Sequence, residues 1–99
     1  MDGIGIKVVG IGRVGNDVLN KMVQKEISEV ELLGIDTNQE NLDKLNVGSK
    51  ILVSENLSEK VQDALKNTDL VFILTEMSEK KNNEIAYVVS EVAKTMGIL

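Results

Sequence analysis

The glycines near the start of the chain have the spacing of a phosphate-binding turn. Residues 10–15 read G-I-G-R-V-G, follow an apolar stretch directly and open a helical pattern. Glycines at these positions permit a tight bend, a close approach of a phosphate to the backbone and close packing of helix on strand. The free N–H groups and the positive end of the helix dipole then face the anion. The same glycines also suit a strand-to-helix turn that binds nothing.

Charged residues in and after this turn are candidates to complete such a site. Arg13 could pair with a phosphate as a planar fork, or it could fill the space that a phosphate needs. Asp36 ends the second predicted strand, about twenty residues after Gly15, where dinucleotide-binding domains hold ribose hydroxyls. A solvated acid at the start of a turn is the favoured alternative for Asp36. The candidate nucleotide-binding residues are Gly10, Gly12, Arg13, Gly15, Asn16 and Asp36.

The composition excludes several classes of chemistry. The 99 residues include neither cysteine nor histidine, which removes disulfides, thiolate nucleophiles, imidazole bases and nearly every transition-metal site. No catalytic or metal-binding residue is assigned. The formal charge of −5 makes nucleic acid and anionic membranes poor partners. We expect one domain over residues 1–99 and, since no apolar run approaches bilayer length, a cytoplasmic location.

The hydrophobic pattern alternates between strand and helix periods. Strands are predicted over 4–11, 30–35, 50–53 and 70–74. Helices are predicted from Val14 to Glu26, from a capping box at Thr37 through Leu45, over 57–65, and along the stripe 85–96 with Gly97 as its cap. Right-handed crossovers between parallel strands then give an α/β fold. We expect a three-layer, doubly wound Rossmann-like domain with a mostly parallel sheet of about four strands in the order 3-2-1-4.

In order and spacing, the chain resembles the N-terminal nucleotide-binding domain of the FtsZ/tubulin family along nearly its whole length. The matching stretches are 6–12 with Gly15-Asn16, Asn20-Lys21-Met22, 30–38, 42–51, 64–73 and 88–99. The resemblance implies a GTP-binding fold that serves cell division. It also places Gly10, Gly12, Gly15 and Asn16 where the family contacts phosphate, although Arg13 replaces a family glycine.

The departures from the family pattern argue against its chemistry. Residues 77–84 replace a glycine- and threonine-rich phosphate loop and contain no glycine, while Glu79 and Glu84 repel phosphate. We interpret Lys80–Asn83 as an exposed loop with an asparagine cap rather than an anion site. Between Val53 and Ser58 a family stretch of about twenty residues has no counterpart. The resemblance therefore implies a degenerate, truncated domain and not an active GTPase.

Alternative functions follow from the same residues. The favoured hypothesis is a non-catalytic binding or assembly module related to cell division, with another cell-division protein as a candidate partner. The alternative is a small nucleotide- or dinucleotide-binding domain, with a weakly bound guanine nucleotide or a dinucleotide as the only cofactor candidates. The apolar strand Leu70, Val71, Phe72, Ile73, Leu74 is expected at an edge of the sheet, so the sequence predicts a homodimer through this strand or through the helix that covers it.

Overall fold

Strands and helices alternate along the whole chain. The structure, a computed structural model, describes residues 4–24, 30–76 and 78–98. In chain order the elements are β1 (Ile6–Ile11), α1 (Gly12–Gln24), β2 (Val30–Asp36), α2 (Gln39–Asp43), β3 (Ser49–Leu52), α3 (Leu57–Ala64), β4 (Leu70–Leu74) and α4 (Lys80–Thr95). The strands form one parallel sheet in the order β3-β2-β1-β4. The predicted Rossmann-like α/β fold and its strand order are confirmed.

Helices cover both faces of the sheet because alternate side chains of its strands point to opposite sides. On one side, buried residues of α3 and α4 pack on β1, β2 and β3 around Val9 and Ile35. On the other side, Leu19 of α1 and Leu42 of α2 pack on Val8. The sheet and the helices packed on its two faces therefore form the three layers that the sequence predicts.

The first two helices begin at residues other than those predicted. Helix α1 begins at Gly12 rather than Val14, and its predicted end at Glu26 lies outside the described residues. The capping box predicted at Thr37 is wrong, because Asn38 is the N-cap of α2 and its side chain accepts a hydrogen bond from the Asn41 N–H at 3.2 Å. The side-chain oxygen of Asn38, one residue after Thr37, therefore accepts the hydrogen bond that the free N–H group of the first helical turn needs.

The last helix starts earlier than its apolar stripe. Helix α4 begins at Lys80 with Glu79 as N-cap, so the asparagine cap predicted for the 80–83 segment is wrong. Its predicted C-terminal glycine is confirmed: Gly97 has a φ of +77°, and the Ile98 N–H donates to the Ala93 carbonyl at 2.9 Å. This left-handed residue closes the helix because glycine has no Cβ to clash.

The two edges of the sheet differ in length and polarity. Strand β3 has four residues and exposes Ser49 and Lys50, whereas β4 has five apolar residues. Within the described ranges, β4 pairs only with β1. The edge position predicted for β4 is therefore observed. None of the helices in these ranges has the length and apolar character needed to cross a bilayer.

Candidate functional site

The glycine turn joins β1 to α1 without an intervening loop residue. Strand β1 ends at Ile11, and Gly12 is the first residue of α1, with a φ of +75°. A left-handed residue at this junction lets the chain reverse from strand to helix within one residue. The turn thus has the strand, glycine and helix context of a phosphate-binding turn.

Gly10 and Gly15 are packing glycines in this turn. A Cβ on Gly10 would lie 2.7 Å from Leu19 Cγ and 2.8 Å from the Gly15 carbonyl oxygen. A Cβ on Gly15 would collide with the Leu74 carbonyl at the end of β4. These two glycines therefore let α1 lie close to the sheet, and both are buried. Neither presents an open surface to a ligand.

The space in front of Gly12 is filled by a side chain from α4. A Cβ on Gly12 would lie 2.5 Å from Asn82 Nδ2 and 2.8 Å from Asn82 Oδ1. Asn82 is in the first turn of α4, so the early start of that helix is what places its amide against the glycine turn. Sequence analysis missed this contact, since it assigned Asn82 to an exposed loop.

Asn16 connects α1 to the second strand. Its side chain is 3% exposed, and its Nδ2 donates a hydrogen bond to the Ile35 carbonyl at 3.2 Å. Its Oδ1 lies against Gly34, has no hydrogen-bond partner among the described residues, and is shielded from solvent. Asn16 therefore fixes the position of α1 over the carboxyl end of β2.

Asp36 is buried and both of its carboxylate oxygens accept hydrogen bonds. Oδ1 accepts from the Asn38 N–H at 3.0 Å, and Oδ2 accepts from Asn41 Nδ2 at 3.1 Å. Asp36 is only 4% exposed, so the solvated acid expected from the sequence is not what the structure contains. It shapes the turn between β2 and α2 by an Asx-type hydrogen bond.

Arg13 lies beside a small polar cavity between α1 and α2. The cavity has a volume of about 270 Å³ and is lined by Arg13, Asn16, Asp17, Asn20, Asn41, Lys44 and Leu45. Arg13 is exposed and forms no ion pair with any residue of the described ranges. Pockets that hold drug-sized ligands usually measure about 300–1,000 Å³. The cavity is therefore near the lower limit for such ligands and carries both signs of charge.

The predicted residues are thus divided between separate environments. Arg13 and Asn16 share the α1–α2 cavity, and Asp36 borders it through its hydrogen bond to Asn41. Gly10 and Gly15 are covered by packing, and Gly12 faces Asn82. Asn41 and Lys44 were not predicted as cavity residues, because their approach to α1 depends on how α2 packs.

Comparison with known proteins gives relatives that match almost the whole chain. The cell division protein FtsZ of Aquifex aeolicus (strain VF5) is 31% identical over 114 residues, which cover 95% of this chain and 31% of the relative. The chain is an FtsZ/tubulin-like N-terminal domain. This FtsZ-like chain spans about a third of the length of that relative. No protein-family model matches it.

Solved structures of FtsZ have the same fold as this FtsZ-like domain. A tryptophan-to-tyrosine mutant of FtsZ from M. jannaschii superposes with a TM-score of 0.89 at 24% identity, covering 97% of this chain and 35% of the other. An empty FtsZ dimer from M. jannaschii gives a TM-score of 0.91 at 24% identity, with 99% and 34% covered. At this identity the likeness concerns the fold.

Proposed function

We propose that this chain is a non-catalytic binding or assembly module of the FtsZ/tubulin type, related to cell division and located in the cytoplasm. The observation that carries the proposal is the Asn82 amide against Gly12, in front of the turn where the family is expected to hold phosphate. The name of the Aquifex relative supports the link to cell division. The absence of cysteine from the sequence is in keeping with a reducing compartment.

Backbone geometry explains why this contact opposes nucleotide binding. A phosphate on a glycine turn needs the space directly before the glycine and the free N–H groups of the helix start. Asn82 occupies the space before Gly12, while Glu79 and Glu84 bring carboxylates to the same helix start. A phosphate would have to displace the amide and approach these negative charges, both of which cost free energy.

The length of the alignment supports the loss of a family segment. The match to the Aquifex relative extends over 114 residues, whereas 95% of a 99-residue chain is about 94 residues. About 20 residues of the matched length therefore have no counterpart here. A gap of this size is expected between β3 and α3, where the resemblance implies a loop that touches the terminal phosphate.

A second candidate function is weak nucleotide or dinucleotide binding at the α1–α2 cavity. It is favoured by Arg13, which lies exposed beside that cavity and forms no ion pair with the part of the chain that the structure describes. It is opposed by Asp36, which is only 4% exposed and whose two oxygens already accept hydrogen bonds from the α2 turn. An active GTPase is the least supported function, because Asn82 packs against Gly12 and the carboxylates of Glu79 and Glu84 lie at the same helix start.

The partner that we propose is a second copy of the chain, joined through the β4 edge. The strand consists of Leu70, Val71, Phe72, Ile73 and Leu74 and exposes half of the Phe72 side chain. An apolar edge without charge or proline favours pairing with another strand.

Ligand-dependent melting tests the proposed loss of nucleotide binding. A nucleotide at a hundred times its dissociation constant would stabilise the fold by about 2.7 kcal/mol, which raises the Tm of a domain of this size by about 10–20 °C. We expect GTP, GDP, ATP and NAD at about 1 mM, with magnesium, to shift the Tm by less than about 1 °C.

Two variants show which residue is responsible for any nucleotide-dependent shift in Tm. Asn82→Gly removes the amide from the turn, and a shift gained only in this variant would support filling by Asn82 as the reason for the loss. Arg13→Ala removes the exposed cation beside the α1–α2 cavity, and a shift lost in this variant would favour the second candidate. Magnesium-dependent stabilisation of the unaltered chain by GTP would overturn the proposal.

A further inference from the structure

We infer that the open edge of β3 binds an extended, acidic segment of a partner protein, which joins the sheet as a fifth strand. The inference goes beyond the proposed function. Strand β2 separates β3 from the strand that leads into the glycine turn, so binding at β3 does not depend on what that turn holds. Strand β3, helix α3 and the connections on both sides of β3 all lie within residues 30–76, which the structure describes without a gap.

The hydrogen bonds to β2 determine which backbone groups of β3 are free. The Val53 N–H donates to the Asp36 carbonyl at 2.9 Å, so the backbone groups of Val53 point toward β2, as do those of Ile51 two residues earlier. Those of Lys50 and Leu52 alternate with them and point to the open edge, where no described strand pairs with β3. Lys50 and Leu52 therefore offer two N–H donors and two carbonyl acceptors to an added strand.

The connection from β3 to α3 leaves this edge uncovered. Val53 is still hydrogen-bonded to β2, and α3 begins at Leu57, whose N–H donates to the Ser54 carbonyl at 3.2 Å. Only residues 54–56 lie between them, and three residues reach about 10 Å even when fully extended. This turn is too short to fold back along β3, so the free backbone groups stay accessible.

A groove beside β3 has room for the side chains of an added strand. It has a volume of about 510 Å³ and lies between β3 and α3, where Lys60, Asp63 and Ala64 line it from the helix. Leu33 and Ile51 line it from the sheet and belong to the hydrophobic core. Every second side chain of an extended segment points to the same face, so aliphatic residues at alternate positions would enter this groove.

The charges at the β3 edge favour a negative partner. Lys50 and Lys60 are exposed and form no ion pair with any residue in the described ranges, although Lys60 Nζ donates a hydrogen bond to Ser54 Oγ at 3.1 Å. Asp63 also lines the groove, but its carboxylate is paired with Lys66 at 3.2 Å. The edge thus has an excess of positive charge in a chain whose formal charge is −5. Carboxylates on the added strand would complement it.

The same lysine opposes a second copy of this edge as the occupant. Lys50 is in register with Gly34, which approaches Leu45 of the α2 side, so the Lys50 side chain lies on the α2 face of the sheet. Two β3 edges in contact would bring two Lys50 charges together on one face, and like charges across a strand pair are destabilising. A lysine on an edge strand is a common protection against such self-pairing. An acidic strand meets no such repulsion and gains an ion pair.

A peptide with alternating residues tests this inference. In acetyl-Glu-Val-Glu-Val-Glu-Val-Glu-amide the valines can enter the groove while the glutamates lie on the Lys50 face. At ten times its dissociation constant, the peptide should slow amide hydrogen exchange of Lys50 and Leu52 about tenfold, as measured by NMR on the full chain in 0.15 M salt. The N–H group of Ile51 points to β2, so its exchange should change little.

Altered peptides and variants separate backbone pairing from general attraction. The same peptide with methylated backbone nitrogens cannot donate hydrogen bonds and should not bind, and a peptide with lysine in place of glutamate should not bind either. Lys50→Glu should raise the dissociation constant about tenfold. Lys21→Glu changes the net charge equally at an exposed position of α1 and should leave it within about twofold.

Three results would overturn the inference: no protection of Lys50 and Leu52 at about 5 mM peptide, equal binding of the lysine peptide, or an equal loss of affinity in Lys50→Glu and Lys21→Glu. These titrations contain no nucleotide. Their failure is therefore distinct from failure of the proposed function, which the melting experiments measure.

Discussion

Replacing Gly15 with alanine should destabilise this domain, although alanine is the better helix former. In an exposed helix interior the change would stabilise by about 1 kcal/mol. Here the new methyl group would lie closer to the Leu74 carbonyl oxygen than the 3.0 Å that real Cβ atoms respect, with the carbonyl carbon at 3.1 Å. The obstacle is backbone at the end of β4, so α1 itself must move.

The magnitude follows from what that movement disturbs. A shift of about 1 Å away from β4 would displace the fully buried Leu19 and the hydrogen bond of Asn16 to β2. Overpacking costs about 1–3 kcal/mol, and a rigid obstacle places Gly15 at the upper end. After the gain in helix propensity, the net loss is about 2 kcal/mol, which lowers the Tm by about 8–16 °C.

Urea unfolding followed by far-UV circular dichroism measures this loss. The matched control is Gly48→Ala, because a Cβ at Gly48 meets nothing within 4 Å. Its free energy of unfolding should stay within about 0.5 kcal/mol of the parent value. If Gly15→Ala proves as stable as the parent or more stable, the close packing of α1 on β4 described above is refuted.

Further predictions concern buried charges. Lys7→Met should lower the free energy of unfolding by about 1.5–3 kcal/mol in urea titrations, because Lys7 Nζ is buried and donates to the Ala64 carbonyl at the end of α3 at 2.6 Å. Glu31→Gln, by contrast, should change it by less than about 0.5 kcal/mol, since the Lys7–Glu31 ion pair is 3.6 Å long and its carboxylate is 78% exposed. A larger effect of Glu31→Gln would show that the ion pair, and not the carbonyl contact, stabilises Lys7. Asp36→Ala should cost about 1–2 kcal/mol in the same titration by removing the acceptor of the Asn38 N–H, and no loss would contradict its role in the turn.

The sequence predicts the architecture because its strongest signals are local. The five apolar residues of β4 and the helical stripe around Val89 can be read without knowing what they contact. Alternation of strand and helix then restricts the connections to right-handed crossovers, which leave few strand orders. The order 3-2-1-4 needs only one further assumption, that the glycine turn lies at the centre of the sheet.

The candidate site was harder to predict because its decisive contacts join distant segments. Nothing in the residues around Asn82 indicates that the amide lies against Gly12, seventy positions earlier in the chain. Asparagine is also a common helix cap, so Asn82 and Asn83 were expected to precede the helix. The helix begins earlier, at Lys80, and both asparagines lie inside its first turn. The burial of Asp36 was missed for a similar reason, since it depends on where the short helix α2 packs against the sheet.

The amide over Gly12 also bears on how the fold responds to its surroundings. A diffusible ligand stabilises a loop only while it is bound, and that stabilisation is lost as the ligand concentration falls below its dissociation constant. A side chain belonging to the same polypeptide cannot be diluted or consumed. On the proposed function, the junction of β1 and α1 should therefore keep the same order whether nucleotide is scarce or abundant, because Asn82 and not a ligand packs against it.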